Sequence, residues 1–271
     1  MRIVVLSSGS SGNAVFLEIG GKRLLIDVGM NRSFIKRELD RVHVPIGMLD
    51  GIFITHSHRD HTSGLPSLLK QLGAPLPIYI GRDTAEELKR FNIIDLTHYP
   101  YLHCINSMKY VAWADSSLTV LPLKLVHDVP VLGFYFEADD GNAVYITDTG
   151  FLPQVHAKHL YDREYYIFES NYDEDMLVSC SYPDVLKARI RSEKGHMSNE
   201  YSAHCISKLI GPHTKKVVLA HISENSNTED LALVAHRRAL QEGNFDLNNI
   251  VCAHQRRSLT VLDPKYGAAL H

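Results

Sequence analysis

The sequence predicts one α/β domain over residues 1–271, with its sheets held between outer helices. Three observations predict it. Apolar runs of strand length alternate with amphipathic runs of helix length along the whole chain. No low-complexity linker or shift of composition divides it. With 45% hydrophobic content, 271 residues can bury a large core.

Taken in order, residues 2–6 read as a strand, and the loop Ser7-Ser8-Gly9-Ser10-Ser11-Gly12-Asn13 follows. Such a loop either cradles a phosphate through backbone N–H groups or is a turn between edge strands. Runs 14–19 and 22–26 form a hairpin about Gly20-Gly21. Asp27 ends that second run, where it either orients a metal-ligating histidine or caps the helix expected over 33–41. Residues 51–54 read as a buried strand, 65–72 as a helix, 77–80 as a strand and 83–91 as a helix. Residues 92–116 carry Tyr99, Tyr101, Tyr110 and Trp113 without periodicity. These aromatics either stack on bases or, as the stronger expectation, pack beneath a long loop. Strands over 117–126, 133–137 and 143–147 follow, the last two paired about Asp139-Asp140-Gly141-Asn142. The second half repeats the idiom: strands at 165–168, 217–220, 250–253 and 258–262, with helices at 183–192, from Gly195-His196-Met197-Ser198-Asn199-Glu200, and over 229–241.

The chemistry concentrates in Thr55-His56-Ser57-His58-Arg59-Asp60-His61, on the loop after the 51–54 strand. On a regular strand His56 and His58 would share a face and Asp60 and His61 would diverge; a loop turning at Arg59 lets all four converge. Imidazole and carboxylate suit zinc and its first-row neighbours. Four ligands are too many for one ion that must also hold water and substrate. Two metals result, His56 and His58 on one, Asp60 and His61 on the other.

This His-x-His-x-Asp-His stretch resembles the signature of the metallo-β-lactamase superfamily. His61, His127, Asp148 and His221 each stand just beyond an apolar run, so rigid strand ends can present them along one edge. The resemblance completes the set. His56, His58 and His127 would hold one divalent ion and Asp60, His61 and His221 the other, with Asp148 bridging both, as in phosphodiesterases of this superfamily. It implies their αββα four-layer sandwich, two ions (Zn²⁺ or Mn²⁺) and a bridging hydroxide for in-line attack. Asp148 stands where lactamases of the superfamily carry a Cys ligand, which argues against β-lactam hydrolysis.

Two sets of motifs narrow the group. Leu125-Val126-His127-Asp128-Val129-Pro130 and Tyr145-Ile146-Thr147-Asp148-Thr149-Gly150 look like those of tRNase Z. The Ser8–Asn13 loop, Glu169-Ser170-Asn171-Tyr172-Asp173, the Gly195–Glu200 run and His221-Ile222-Ser223-Glu224-Asn225-Ser226-Asn227-Thr228 resemble more closely the WalJ/YycJ group. That bacterial group is tied to a cell-wall two-component system and regarded as DNA exonucleases. Phe168 replaces a tRNase Z histidine, and no long Gly/Pro-rich arm is present, so pre-tRNA cleavage is not expected. Asp60, Glu169 and His196 are the expected catalytic residues. The tRNase Z likeness makes Glu169 and His196 a proton-donating pair, since a carboxylate favours the protonated form of a neighbouring imidazole; the other reading of His196 is a residue packed at a helix start.

The net charge of −3 gives no global attraction for nucleic acid, so binding needs a local basic patch. Arg189, Arg191 and Lys194 are the expected substrate contacts; Lys215-Lys216 and Arg256-Arg257 are further clusters, and such runs also serve as solvated faces. No stretch approaches the ~20 apolar residues of a membrane span. The four scattered cysteines fit free thiols in a reducing cytosol, so the expected location is cytoplasmic. The leading function is a two-metal DNA exonuclease. The alternatives are a hydrolase of a cyclic phosphate or thioester, and a regulatory protein with a vestigial site.

Overall fold

The computed structural model describes residues 1–72, 75–113, 115–241 and 245–264. Its first half builds a sheet from β1 (Arg2–Ser7), β2 (Ala14–Ile19), β3 (Lys22–Ile26), β4 (Gly51–Ile54), β5 (Ile78–Gly81) and β6 (Leu102–Ile105). Its second half supplies β7 (Val111–Ala112), β8 (Thr119–Lys124), β9 (Leu132–Ala138), β10 (Gly141–Ile146), β11 (Tyr165–Glu169), β12 (Lys216–Ala220) and β13 (Ile250–Cys252), while β14 (Leu259–Leu262) returns to the first sheet. Among the described residues the sheet orders are β14-β1-β2-β3-β4-β5-β6 and β13-β12-β11-β10-β9-β8-β7. Each sheet has an antiparallel half and a parallel half, with the change of direction at β3/β4 and β10/β11. The two halves of the chain thus repeat one plan.

Three apolar clusters give the layers. One lies between the sheets, where Phe53 stacks on Tyr79 at 4.7 Å and meets Phe134 and Phe136 edge-on at 5.3 Å each. Phe53 is fully buried, so Phe53→Ala would cost about 3–5 kcal/mol. A second cluster packs α1 (Arg32–Arg41), α3 (Leu65–Gln71) and α4 (Arg82–Arg90) on the outer face of the first sheet. α2 (Arg59–Thr62) is a single turn carrying Asp60 and His61. A third cluster packs α5 (Ala157–Leu160), α8 (Asn199–Leu209) and α9 (Glu229–Leu240) on the second sheet. The result is the four-layer αββα sandwich. Between α5 and α8 run α6 (Glu174–Ser179) and α7 (Asp184–Arg191); α7 has no buried residue.

The helix starts follow their caps. Asn31, Ser198 and Thr228 accept the N–H of Phe34, Tyr201 and Leu231 at the starts of α1, α8 and α9. Asn31, not Asp27, thereby caps α1.

The aromatic segment divides. Trp113 lies 5.1 Å from the Tyr79 ring and Tyr99 Oη donates to the Leu76 carbonyl, so both pack, whereas Tyr101 and Tyr110 are exposed. The helices α5 and α6 were not expected; one is a single turn and the other six residues, too short for a periodic signature. No helix among the described residues is long and apolar enough to cross a membrane.

Candidate metal centre

The parallel strands of both sheets end on one edge, where loops are free to carry ligands. His56, His58, Asp60 and His61 follow β4, His127 follows β8, Asp148 follows β10, Glu169 ends β11 and His221 follows β12. At three of these ends the backbone turns left-handed: Asp27, Asp148 and His221 have φ of 59°, 58° and 57°. For residues with a Cβ this costs roughly 1–3 kcal/mol each, and such strain collects at functional sites. Gly29 allows another close approach, because a Cβ there would lie 1.7 Å from the Asp60 carbonyl oxygen.

Among the described residues, ligand-type atoms gather in three groups, each within 4.8 Å, of which the last two overlap: His56, His58 and His127; Asp60, His61, Asp148 and His221; Asp148, Glu169, His196 and His221. Asp148 belongs geometrically to the last two, with Oδ2 3.2 Å from His61 Nε2 and Oδ1 3.5 Å from His221 Nε2. The first group adjoins the second, His56 and His61 having ring centroids 4.1 Å apart.

Most of the imidazoles are anchored through Nδ1. Asp27 Oδ2 lies 2.7 Å from Nδ1 of His61, Thr55 Oγ1 lies 3.0 Å from that of His56, and Glu169 Oε1 lies 3.3 Å from that of His221. His127 Nδ1 donates to the Gly195 carbonyl at 3.0 Å. Each anchor leaves Nε2 turned to the site, as a metal-ligating histidine requires. His56 Nε2 is buried without any hydrogen-bond partner, and Asp148 Oδ2 likewise lacks one. Orphaned buried acceptors in an all-N/O donor set are what divalent first-row ions satisfy, so the residues fit such ions.

The electrostatics agree. Burial, followed by His61, holds His56 well below the ordinary imidazole range. Burial opposes charge on His221 as well, but Asp148, Asp60 and Glu169 outweigh it and raise its pKa to about 10. Burial would push the Asp148 carboxyl up, yet His221 and His61 hold it well below the usual range. Carboxylate charge thus dominates around His61 and His221, while burial dominates at His56.

Beside the ligands, His196 Nδ1 lies 2.7 Å from Glu169 Oε1, and Glu169 Oε2 accepts the Thr149 N–H at 3.0 Å. The His196 ring sits between those of His127 and His221, at 5.2 and 5.1 Å. A cleft of about 270 Å³ opens over these groups, walled by Ser10, Tyr182, Leu186, Arg189 and Ile190. Arg189 is ion-paired with Asp128. Arg191 is paired with Glu174 at 2.6 Å and, with exposed Lys194, lies outside the cleft wall. Lys215 pairs with Glu164 before β12, at the far end of the strand that leads to His221. Arg256 reaches Ser11 Oγ at 3.5 Å.

The Ser/Gly loop is no open phosphate cradle. The N–H groups of Ser8, Gly9, Ser11, Gly12 and Asn13 are taken by His254 O, Asn13 Oδ1, Gln255 Oε1, Gly9 O and Asp60 O. The loop instead packs against the candidate ligands: Ser8 Oγ accepts the His221 N–H at 2.8 Å, and Asn13 Nδ2 sits 2.9 Å from His61 Nε2. Asn13, Asn171 (Nδ2 to His221 O, 2.8 Å) and Asp128 stand within the motifs that carry the resemblance, but sequence reasoning gave none of them a role.

Comparison with known proteins follows the same line. The "Beta-lactamase superfamily domain" family matches residues 22–222. The "Exodeoxyribonuclease WalJ" of Streptococcus pneumoniae serotype 2 (strain D39 / NCTC 7466) is 33% identical over 229 residues, 84% of each chain. The "Exodeoxyribonuclease YycJ" of Bacillus anthracis is 29% identical over 255 residues, 94% of each. The solved metallo-β-lactamase-fold protein YhfI of Bacillus subtilis shares the fold at a TM-score of 0.71 and 17% identity, over 96% of this chain and 98% of that one. With its αββα sandwich and histidine-carboxylate edge, the chain belongs to the β-lactamase superfamily, among relatives of the WalJ/YycJ type.

Proposed function

We propose that the chain is a metal-dependent phosphodiesterase that acts on nucleic acid, as an exonuclease on DNA. The observation that carries the proposal is the convergence of seven residues of metal-ligating type beside the hydrogen-bonded Glu169–His196 pair. His56, His58 and His127 would hold one divalent ion, Asp60, His61 and His221 a second, and Asp148 both. When bound, the ions supply an activated water and neutralise the phosphoryl oxygens. The chain does the rest. Asp27 and Glu169 orient His61 and His221 through Nδ1. His196 keeps Nδ1 on Glu169, which leaves its Nε2 to protonate a departing alkoxide. Arg189 offers a planar pair of donors to a phosphate at the cleft wall. The DNA assignment draws on the names of the WalJ and YycJ relatives, and the small cleft under α7 favours a chain end over an internal phosphate.

A substrate panel with Mn²⁺ or Zn²⁺ tests this, comparing single- and double-stranded DNA, RNA and bis(p-nitrophenyl) phosphate. Stepwise release of mononucleotides from DNA is the expected result. Hydrolysis of the small ester with every oligonucleotide left intact would move the assignment to small phosphodiesters.

A further inference from the structure

We propose that Asp128 is an internal stand-in for the substrate's phosphate, closing the outward face of the His56–His58–His127 group at rest and giving way when a phosphate binds. The inference rests on the two-metal reading above. Asp128 Oδ1 lies 3.3 Å from His58 Nε2 and 3.2 Å from His127 Nε2. Donors held about 2.0–2.1 Å from one tetrahedral ion are about 3.3–3.4 Å apart, so Oδ1 stands at a ligand's separation from these two nitrogens. The His127 contact cannot be an ordinary hydrogen bond when the ring is neutral. Its Nδ1–H is given to the Gly195 carbonyl, which leaves Nε2 a lone pair, and a carboxylate oxygen is also acceptor-only. Two acceptors face each other, and a cation between them resolves the conflict.

The second carboxylate oxygen completes the likeness to a phosphate. Asp128 Oδ2 is bound by the Arg189 guanidinium. A phosphodiester makes the same two demands, one oxygen toward a metal and another toward a guanidinium. Like a carboxylate, a phosphodiester carries a single negative charge. The pair is accessible: the Asp128 side chain is 27% exposed and that of Arg189 57%. Arg189 sits on α7, which has no buried residue to resist a shift.

The test uses the full chain, stripped and reloaded with Mn²⁺, with inorganic phosphate as probe. Asp128→Ala and Asp128→Asn should both keep the wild-type melting curve, and both should weaken uptake of one Mn²⁺ about tenfold, as loss of a supporting ligand does. With both ions saturated, phosphate should bind each variant at least about threefold more tightly than wild type, because the competitor is gone. Arg189→Ala should leave Mn²⁺ uptake unchanged and weaken phosphate about tenfold. If the Asp128 variants weaken phosphate as Arg189→Ala does, Asp128 only positions the arginine and the proposal fails. Unchanged Mn²⁺ and phosphate affinities in variants that bind two ions sink this inference alone. A wild-type chain that takes up no Mn²⁺ overturns the metal reading beneath it as well.

Discussion

Glu169 Oε1 lies 2.7 Å from His196 Nδ1 and also 3.3 Å from Nδ1 of His221, so one carboxylate oxygen serves both the proposed proton donor and a metal-ligand candidate. Burial disfavours charge on Glu169, but His196 and His221 hold its carboxyl below the usual range. His196→Ala should therefore keep its metal and fold. It should lose about 10²–10⁴-fold in kcat on unactivated phosphodiesters, the usual share of a general acid. With a p-nitrophenolate leaving group, which needs no proton, the loss should shrink sharply. Equal losses on both substrates would make His196 a positioning residue.

Metal content follows from the ligand groups. Elemental analysis after metal-replete purification should find about two equivalents of first-row metal per chain. Asp148→Ala should reduce that count, since its carboxylate sits within the Asp60–His61–His221 group. Asp27→Asn should keep both sites at saturating metal and weaken affinity about 10–100-fold, because Asp27 meets His61 at Nδ1, the nitrogen turned away from the site. Equal effects of the two substitutions would remove Asp148 from its bridging role.

The arginines should separate. Arg189 walls the cleft, whereas Arg191 is tied to Glu174 outside it. Arg189→Ala should raise KM for oligonucleotides about tenfold and flatten its salt dependence, with Arg191→Ala within about twofold of wild type. A larger effect from Arg191 would place the substrate track over α6 instead.

Acid should weaken the fold at a residue remote from the metal ligands. His236 is fully buried on α9, with Nδ1 on the Ala232 carbonyl and Nε2 on Ser202 Oγ, and burial lowers its pKa to about 4. Its folded pKa lies below the unfolded value, so the unfolded chain binds the proton more readily. Stability is then lost as pH falls from about 6.5 through 4. The full difference is about 3 kcal/mol. Urea melts of wild type and His236→Gln between pH 7 and 4 should converge as pH falls; parallel curves would assign the acid loss elsewhere.

The sequence by itself determined the alternation of strands and helices, because apolar period and turn residues are local properties. It also marked His56, His58, Asp60, His61, His127, Asp148 and His221 as residues at run ends, and Glu169 and His196 beside them. Tertiary structure alone decided how those ends meet. Asp27 reaches His61 only because β3 and β4 are parallel neighbours, and Asp128 meets His58 only because β8 and β4 lie in facing sheets. It separated Arg189 from Arg191, two residues apart on one helix, by giving one the cleft and the other Glu174. It also filled two of the Ser/Gly loop's N–H groups, those of Ser8 and Ser11, from His254 and Gln255, about 240 residues away in the chain. Spacing along a chain fixes which side chains share an element, while contacts across sheets depend on register and layer order, which no local pattern records.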